Sequence, residues 1–474
     1  MSEQQGDNKV IKAGIGYTVG NYLLKGLSFL AAPVFSRILS TADYGTFNTY
    51  LAYQCMVFLI IGFSLQRSLK NAKYRYGEKL AQYNSCCILL VVCNLAIWLV
   101  LGNLFYPIYG ELLGFSRFVV NVLMLDSFGT ALIQFFNAYV GLDYRYMSFL
   151  KLSGFNTIAN LTISVLLIVT VFQNDRATGR ILGNALPVVI IAMVLIIYFW
   201  KKAKPVFNKE YVKFGLSYSL PSIPQGICEL LISQFDRLMI KHMIGASEAG
   251  IYSFGYTIFS IINVTISSLD NVWGPWFYEK MEAKDYRGIR KYSAKYAFGM
   301  LLFSSMLMLG SPELVKLLGD RAYWDAMYSA IPLIAGGFFM FLYSLPSMVE
   351  YYYAKTNYIA LGTGIAAIVN MVLNFVCIRK FGYLAASYTT LVTYLLYFVF
   401  HYIIAWHVQK SCIFATGKLA LYSVGALLAG ALSLIFIQNW LVRWVLLVCI
   451  GIVAVWWSEK EFGIVEKVKK KLHR

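Results

Sequence analysis

The chain is 474 residues long, 59% of them apolar, and carries a formal charge of +18 from 41 Lys and Arg against 23 Asp and Glu. Its apolar residues gather into continuous runs of roughly 20, the length an α-helix needs to cross about 30 Å of hydrocarbon, and the polar stretches between them are too short for a soluble catalytic domain. Continuous runs also exclude a transmembrane barrel, whose strands alternate apolar and polar positions, so the expected fold class is an all-α integral membrane protein.

In chain order, fourteen transmembrane spans are predicted, at 13–39, 44–66, 84–106, 118–140, 152–172, 180–200, 214–240, 249–271, 294–311, 326–348, 358–378, 384–408, 419–437 and 441–457. Lys and Arg crowd every second gap, notably 67–83, 201–213 and 272–293, and the tail. Because basic residues are retained on the cytoplasmic side during insertion, this asymmetry predicts a multi-pass protein of the bacterial cytoplasmic (inner) membrane with both termini cytoplasmic. The surplus charge then follows topology and contact with anionic membrane lipids, and no nucleic-acid partner is expected. The first twelve residues are polar and no small-residue cleavage site follows the first span, so no removable signal peptide is expected.

Motifs for enzymatic chemistry are missing. There is no Gly-x-x-x-x-Gly-Lys-Ser/Thr loop for ATP and no Asp-x-Asp pair for a metal-bound sugar nucleotide. The eight cysteines form no Cys-x-x-Cys pair, and the four histidines show no ligand spacing, so neither a metal nor another cofactor is expected. Gly14, Gly16 and Gly20 lack the preceding strand of a dinucleotide loop and read as close-packing positions.

An internal echo organises the chain. The first copy, Arg37-Ile-Leu-Ser-Thr-Ala-Asp43-Tyr-Gly45-Thr-Phe47, and the second, Asp236-Arg237 through Glu248-Ala-Gly250-Ile-Tyr252, each place an Arg at the end of an odd span. An acidic residue follows, with five extra residues before it in the second copy, then a Gly two later and an aromatic two after that. A repeat of six helices keeps its orientation, so two six-helix halves, 1–200 and 201–408, are expected to be related by a pseudo-two-fold along the membrane normal. Residues 409–474 form two additional helices and a basic tail.

These segments, the prolines of the seventh span (Pro221, Pro224) and the helix count resemble the polysaccharide repeat-unit (Wzx-type, O-antigen or capsule) flippases of the multidrug/oligosaccharidyl-lipid/polysaccharide exporter superfamily. The resemblance covers essentially the whole chain. It implies a non-enzymatic translocator of undecaprenyl-pyrophosphate-linked glycan, driven by a coupling ion (H+ or Na+) and associated with glycan polymerase machinery.

Charges inside the spans are the candidate site, because an ionisable group in hydrocarbon needs a partner or a hydrated cavity. Lys25, mid-way along the first span, is expected either to attract a pyrophosphate or to form an ion pair with Glu229 on the seventh. Glu229 and, as the alternative carrier, Asp126 are the ion-coupling candidates, with a structural hydrogen bond as the competing reading. Arg37 and Arg237 are candidate substrate contacts or helix-end caps, Tyr22 and Tyr256 candidate sugar-stacking aromatics, and Asp236 a gate or structural group. Asp270 and Glu350, near the cytoplasmic ends of their spans, read as gate or structural residues and by default as solvated loop anchors. Two other functions compete: a cation-coupled drug or metabolite antiporter of the same superfamily, and a membrane glycan polymerase or glycosyltransferase, which would need a large outer loop.

Overall fold

The computed structural model describes residues 20, 26, 29 and 31–462. From residue 41 onward they form fifteen α-helices, and no strand occurs among the described residues. They run α1 (Thr41–Ile61), α2 (Leu69–Tyr76), α3 (Leu80–Leu113), α4 (Arg117–Gly141), α5 (Tyr146–Thr170), α6 (Arg176–Lys202), α7 (Lys209–Ser219) and α8 (Ser222–Met243). The chain continues through α9 (Ala246–Glu282), α10 (Tyr286–Leu318), α11 (Ala326–Tyr352), α12 (Thr356–Phe381), α13 (Ala385–Gln409), α14 (Thr416–Ile435) and α15 (Trp440–Phe462). Eleven helical stretches are long and apolar enough to cross a bilayer by length and composition. Each predicted span from the second onward coincides with one of these helices or with α1 or α8; of the first, residues 20, 26, 29 and 31–38 are described, and all are helical. The 34 residues of α3 give a rod of about 51 Å, so it outruns the hydrocarbon.

The predicted seventh span, 214–240, is two helices rather than one. Leu220 keeps helical geometry and its N–H bonds the Leu216 carbonyl at 2.9 Å, but Pro221 has no N–H to continue the ladder, so one helix ends at Ser219 and the next starts at Ser222, whose hydroxyl donates to the Ser219 carbonyl at 2.7 Å.

The repeated segments turn out to be helix starts. Ser40 caps α1: its hydroxyl accepts from the Asp43 N–H at 3.1 Å, and the Ser40 N–H donates back to the Asp43 carboxylate at 3.2 Å. Asp43 and Glu248 are each the third residue of their helices, Gly45 and Gly250 the fifth, and Phe47 and Tyr252 the seventh. Both glycines and both aromatics are buried. The acid serves the unpaired N–H groups and positive end of the helix, while the glycine and aromatic lie on its packed face.

The chain divides into two compact units between Lys241 and His242. In the first, α4, α6 and α1 surround a core that includes Tyr50, Leu123, Phe128, Leu132, Ile181 and Phe199. In the second, α11 is the central helix, packed against α13, α9, α10 and α14, and most of its residues are buried. There α9 approaches α11 so closely that a Cβ on Gly255 would lie 2.4 Å from Ser329 Oγ and 3.0 Å from the Ala326 carbonyl oxygen. Arg443 of α15 holds that helix to α10: its guanidinium reaches both carboxylate oxygens of Glu313, at 2.5 and 2.6 Å, and the Leu309 carbonyl at 2.8 Å, while α14 packs directly on α10 and α11. A second tie, Lys295 to Glu461, joins the same helices further along.

Candidate functional site

In the first unit, four helices each contribute two polar residues spaced four apart, a spacing that puts both on one helix face. They are Tyr50 and Gln54 on α1, Asp126 and Thr130 on α4, Asn160 and Ser164 on α5, and Arg180 and Asn184 on α6. Asp126 is fully buried. One carboxylate oxygen accepts from Tyr50 Oη at 2.9 Å and Asn184 Nδ2 at 2.8 Å; the other accepts from Gln54 Nε2 at 3.2 Å. Gln54 also reaches Thr130 Oγ1 at 2.7 Å.

The chain of bonds continues from Asn184. Its carbonyl oxygen accepts from Asn160 Nδ2 at 2.5 Å, and the Asn160 carbonyl accepts from Arg180 Nη1 at 2.8 Å. The same nitrogen reaches Ser164 Oγ at 2.6 Å. The Arg180 guanidinium, 8% exposed, lies between the Phe35 and Phe47 rings, 4.0 and 4.1 Å from their centroids. Two aromatic faces thus stabilise a cation withdrawn from water. Gly183 allows α5 and α6 to touch at this level, since a Cβ there would lie 2.3 Å from Ser164 Cα. The result is a buried carboxylate joined to a buried guanidinium by neutral amides, with no direct ion pair between them. Such a carboxylate can gain or lose a positive charge without breaking a salt bridge.

The second unit has its own polar positions. Asn370 and Asn374 on α12 face Thr389 and Thr393 on α13: Asn374 Nδ2 donates to Asn370 Oδ1 at 3.1 Å, Asn370 Nδ2 to Thr393 Oγ1 at 3.4 Å, and the Thr389 hydroxyl to Asn374 Oδ1. Closer to the ends of α11 and α13, Glu350 Oε1 meets His401 Nδ1 at 2.6 Å, and neither side chain is exposed at all.

Of the residues predicted from sequence, Lys25 and Tyr22 lie outside the described residues. Asp126 stands at the centre of the first network. Glu229 is exposed and accepts from Gln225 Nε2 at 3.3 Å. Arg37 is exposed and donates to the Pro33 carbonyl at 2.8 Å, a helix-end contact. Asp236 and Arg237 are buried, Arg237 donating to Gln234 Oε1 at 2.6 Å. Tyr256 is half-buried, edge-on to Phe259. Asp270 is half-buried and accepts from Ser344 Oγ at 3.1 Å. The solvated-anchor reading of Glu350 is corrected: α11 is covered by its neighbours down to its last turn, so a carboxylate near that helix end faces protein and needs a protein partner. Sequence reasoning missed Gln54, Asn160, Arg180, Asn184 and His401; the four-residue spacing within apolar helices was the available signal for the first four.

The chain is 23% identical over 380 residues to a protein of the Lsg locus of Haemophilus influenzae, covering 74% of this chain and 87% of that one. It is 20% identical over 433 residues to an uncharacterized membrane protein of Methanocaldococcus jannaschii, covering 85% and 84%. Among solved structures, the lipid II flippase MurJ in an inward closed conformation superposes with a TM-score of 0.70 at 14% identity, covering 95% of this chain and 99% of that one. An inward-facing multidrug resistance MATE transporter of the MOP superfamily superposes at 0.58 with 13% identity, covering 82% and 96%. The fold is therefore the one that these two solved structures share. Residues 10–281, more than half of the chain, match the family of polysaccharide biosynthesis proteins, and the chain belongs to that family.

Proposed function

We propose that the protein is a flippase carrying an undecaprenyl-pyrophosphate-linked oligosaccharide repeat unit from the cytoplasmic to the outer leaflet of the bacterial inner membrane, by alternating access and at the expense of an H+ or Na+ gradient. Membership of the polysaccharide biosynthesis family, in a chain with a multi-pass transporter fold, carries this reading. Both termini are cytoplasmic in this scheme, and residues 1–200 and 201–408 are the halves that move, with 409–474 as an appendage.

In the proposed cycle, Lys25 and Arg237 attract the pyrophosphate, Tyr22 and Tyr256 contact sugar faces, and Asp126 carries the coupling cation. The Asp126 network supports this assignment because it offers a carboxylate with four-helix support and, among the described residues, no basic partner bonded to it. Arg37, engaged with its own helix end, has a structural part. Glu229 keeps the alternative role of partner to Lys25.

Shared architecture with a multidrug transporter gives a second reading, a cation-coupled antiporter. Purified protein in liposomes containing a fluorescently labelled undecaprenyl-pyrophosphate oligosaccharide separates the two. Gradient-dependent movement of the glycan to the leaflet reached by an impermeant glycosidase is the expected result. Efflux of a cationic dye with no glycan movement would establish the antiporter instead.

A further inference from the structure

The pair formed by Glu350 on α11 and His401 on α13 has no part in the Asp126 network, which belongs to the other unit. Its geometry is unusual for a structural contact. Both side chains are 0% exposed, they meet through Nδ1 and Oε1 at 2.6 Å, and the other two polar atoms, Glu350 Oε2 and His401 Nε2, have no hydrogen-bond partner among the described residues. A buried pair kept only for packing is costly when half of its hydrogen-bonding capacity is unmet, and an apolar pair of similar volume would hold the helices as well.

The surroundings narrow what the free atoms can bind. On α13, Tyr397 lies one turn before His401 with its ring 4.5 Å away, and its hydroxyl is bonded to Thr363 Oγ1 of α12 at 2.8 Å. On α11, the Tyr343 ring lies 5.7 Å from the imidazole. From α12, Gly362 closes over Nε2, since a Cβ there would lie 3.1 Å from that nitrogen. The charges of the helices packed around the pair are engaged elsewhere. Asp270 of α9 accepts from Ser344, while on α10 Arg290 bonds the Cys412 carbonyl, Lys295 bonds Glu461 and Glu313 bonds Arg443. Lys418 of α14 and Lys355, which follows α11, are exposed. Among the described residues no third His, Cys, Asp or Glu joins the pair to hold a metal ion.

The geometry points to a proton-binding site: we propose that Glu350 and His401 together take up and release one proton, and that this proton is coupled to transport. With a single proton between Nδ1 and Oε1 the pair carries a net charge of −1; a second proton, taken from water onto Nε2 or Oε2, makes it neutral. No other bond forms or breaks. A change of charge inside hydrocarbon-like surroundings needs water, so uptake and release of the proton require water to reach the pair. Glu350 lies two residues from the end of α11, beside the exposed Lys355 turn, whose N–H donates to the Glu350 carbonyl at 2.8 Å. Loosening that turn would open the path. The coupling half of the proposal rests on the transport reading; the proton site does not.

The test uses the full-length protein in lipid nanodiscs and in liposomes. The chain has four histidines, so replacing His242, His407 and His473 by Gln leaves His401 as a single ring-labelled NMR reporter. Its ring resonances are expected to report binding of the second proton as the pH is lowered, and Glu350→Gln is expected to change that response. In liposomes, glycan movement by the parent is expected to change roughly tenfold between about pH 6 and about pH 8, and by less than about twofold in Glu350→Gln or His401→Gln. Should a single variant fail to fold, Glu350→Gln/His401→Gln, which preserves an amide–amide hydrogen bond, carries the transport measurement. A His401 signal that does not titrate, or a transition that Glu350→Gln leaves in place, overturns the site. A parent-like pH profile in the variants overturns the coupling alone. If the parent moves no glycan, the flippase reading falls while the titration still decides the proton site.

Discussion

Asp126 allows a sharp prediction because its partners can be counted atom by atom. In Asp126→Ala, Gln54 keeps its bond to Thr130, but Tyr50 Oη and one N–H of Asn184 lose their acceptor in a site closed to water. A stranded buried donor costs about 1–3 kcal/mol, so two of them and a small cavity put the loss at about 3 kcal/mol or more. For a unit of this size that corresponds to a melting temperature lower by roughly 5–10 °C.

Asp126→Asn behaves differently, and the network decides its orientation. Placing the new NH2 toward Asn184 forces Asn184 and then Asn160 to flip, and the conflict ends at Arg180, whose guanidinium cannot accept. Placing it toward Gln54 requires one flip, after which the Gln54 carbonyl accepts both from the new amide and from the Thr130 hydroxyl. Tyr50 and Asn184 then keep their acceptor, and the chain of bonds to Arg180 is undisturbed. Asp126→Asn should melt within about 2 °C of the parent yet lose gradient-driven glycan movement, because an amide cannot carry a titratable or cation-binding charge. Thermal melts of detergent-purified variants by fluorescence-detected gel filtration, beside the liposome assay, read both effects. Equal melting of Asp126→Ala and parent would refute the energetic argument. Equal losses in Asp126→Ala and Asp126→Asn would refute the flip argument, and full gradient dependence in Asp126→Asn would remove it as the coupling site.

The remaining predictions use other parts of the molecule. Arg443→Ala strands Glu313 and should lower stability by about 3 kcal/mol, with α15 the first segment to gain hydrogen exchange; uniform exchange would contradict its anchoring through this pair. Gly255→Ala should cost about 1–3 kcal/mol in the same melts, and adding Ser329→Ala should recover only part of it, since the Ala326 carbonyl is still in the way. Cysteines introduced at Tyr74 and Lys284, both exposed, should resist an impermeant maleimide in intact cells and react after lysis; labelling of intact cells would invert the topology. Lys25→Ala should abolish glycan export while Lys25→Arg retains part of it, and recovery in Lys25→Ala/Glu229→Gln would show that the lysine only neutralises Glu229.

How much of this could be read from the sequence depends on the range of the interaction. Spans were legible because a 20-residue apolar run can satisfy its backbone in lipid only as a helix, and that argument needs no partner. The spans at α1 and α8 were legible in the same way, as apolar runs. The motif itself was legible as a pattern but not as a helix cap, because Ser40 and Asp43 acquire that meaning only once the helix start is placed. Networks were harder. Each four-residue pair declares a common helix face, yet nothing in the order of residues says that the α1 face meets α4, 72 to 76 positions away. Glu350 and His401 are 51 positions apart and meet because α13 packs on α11 across the intervening α12.

The burial penalty bridges part of that gap. It requires that an Asp, Glu or Arg inside a span has compensation, and Asp126, Arg180, Glu350 and Arg443 all do. Only Arg443 is compensated by a two-point ion pair, the arrangement that suits an anchor. Asp126 is held by neutral donors, and Glu350 by a histidine that can itself gain or lose a proton. Those are arrangements whose charge can change while the helices stay packed. The distinction between anchor and carrier therefore rests on what each buried charge is paired with, and that is a property of the folded chain.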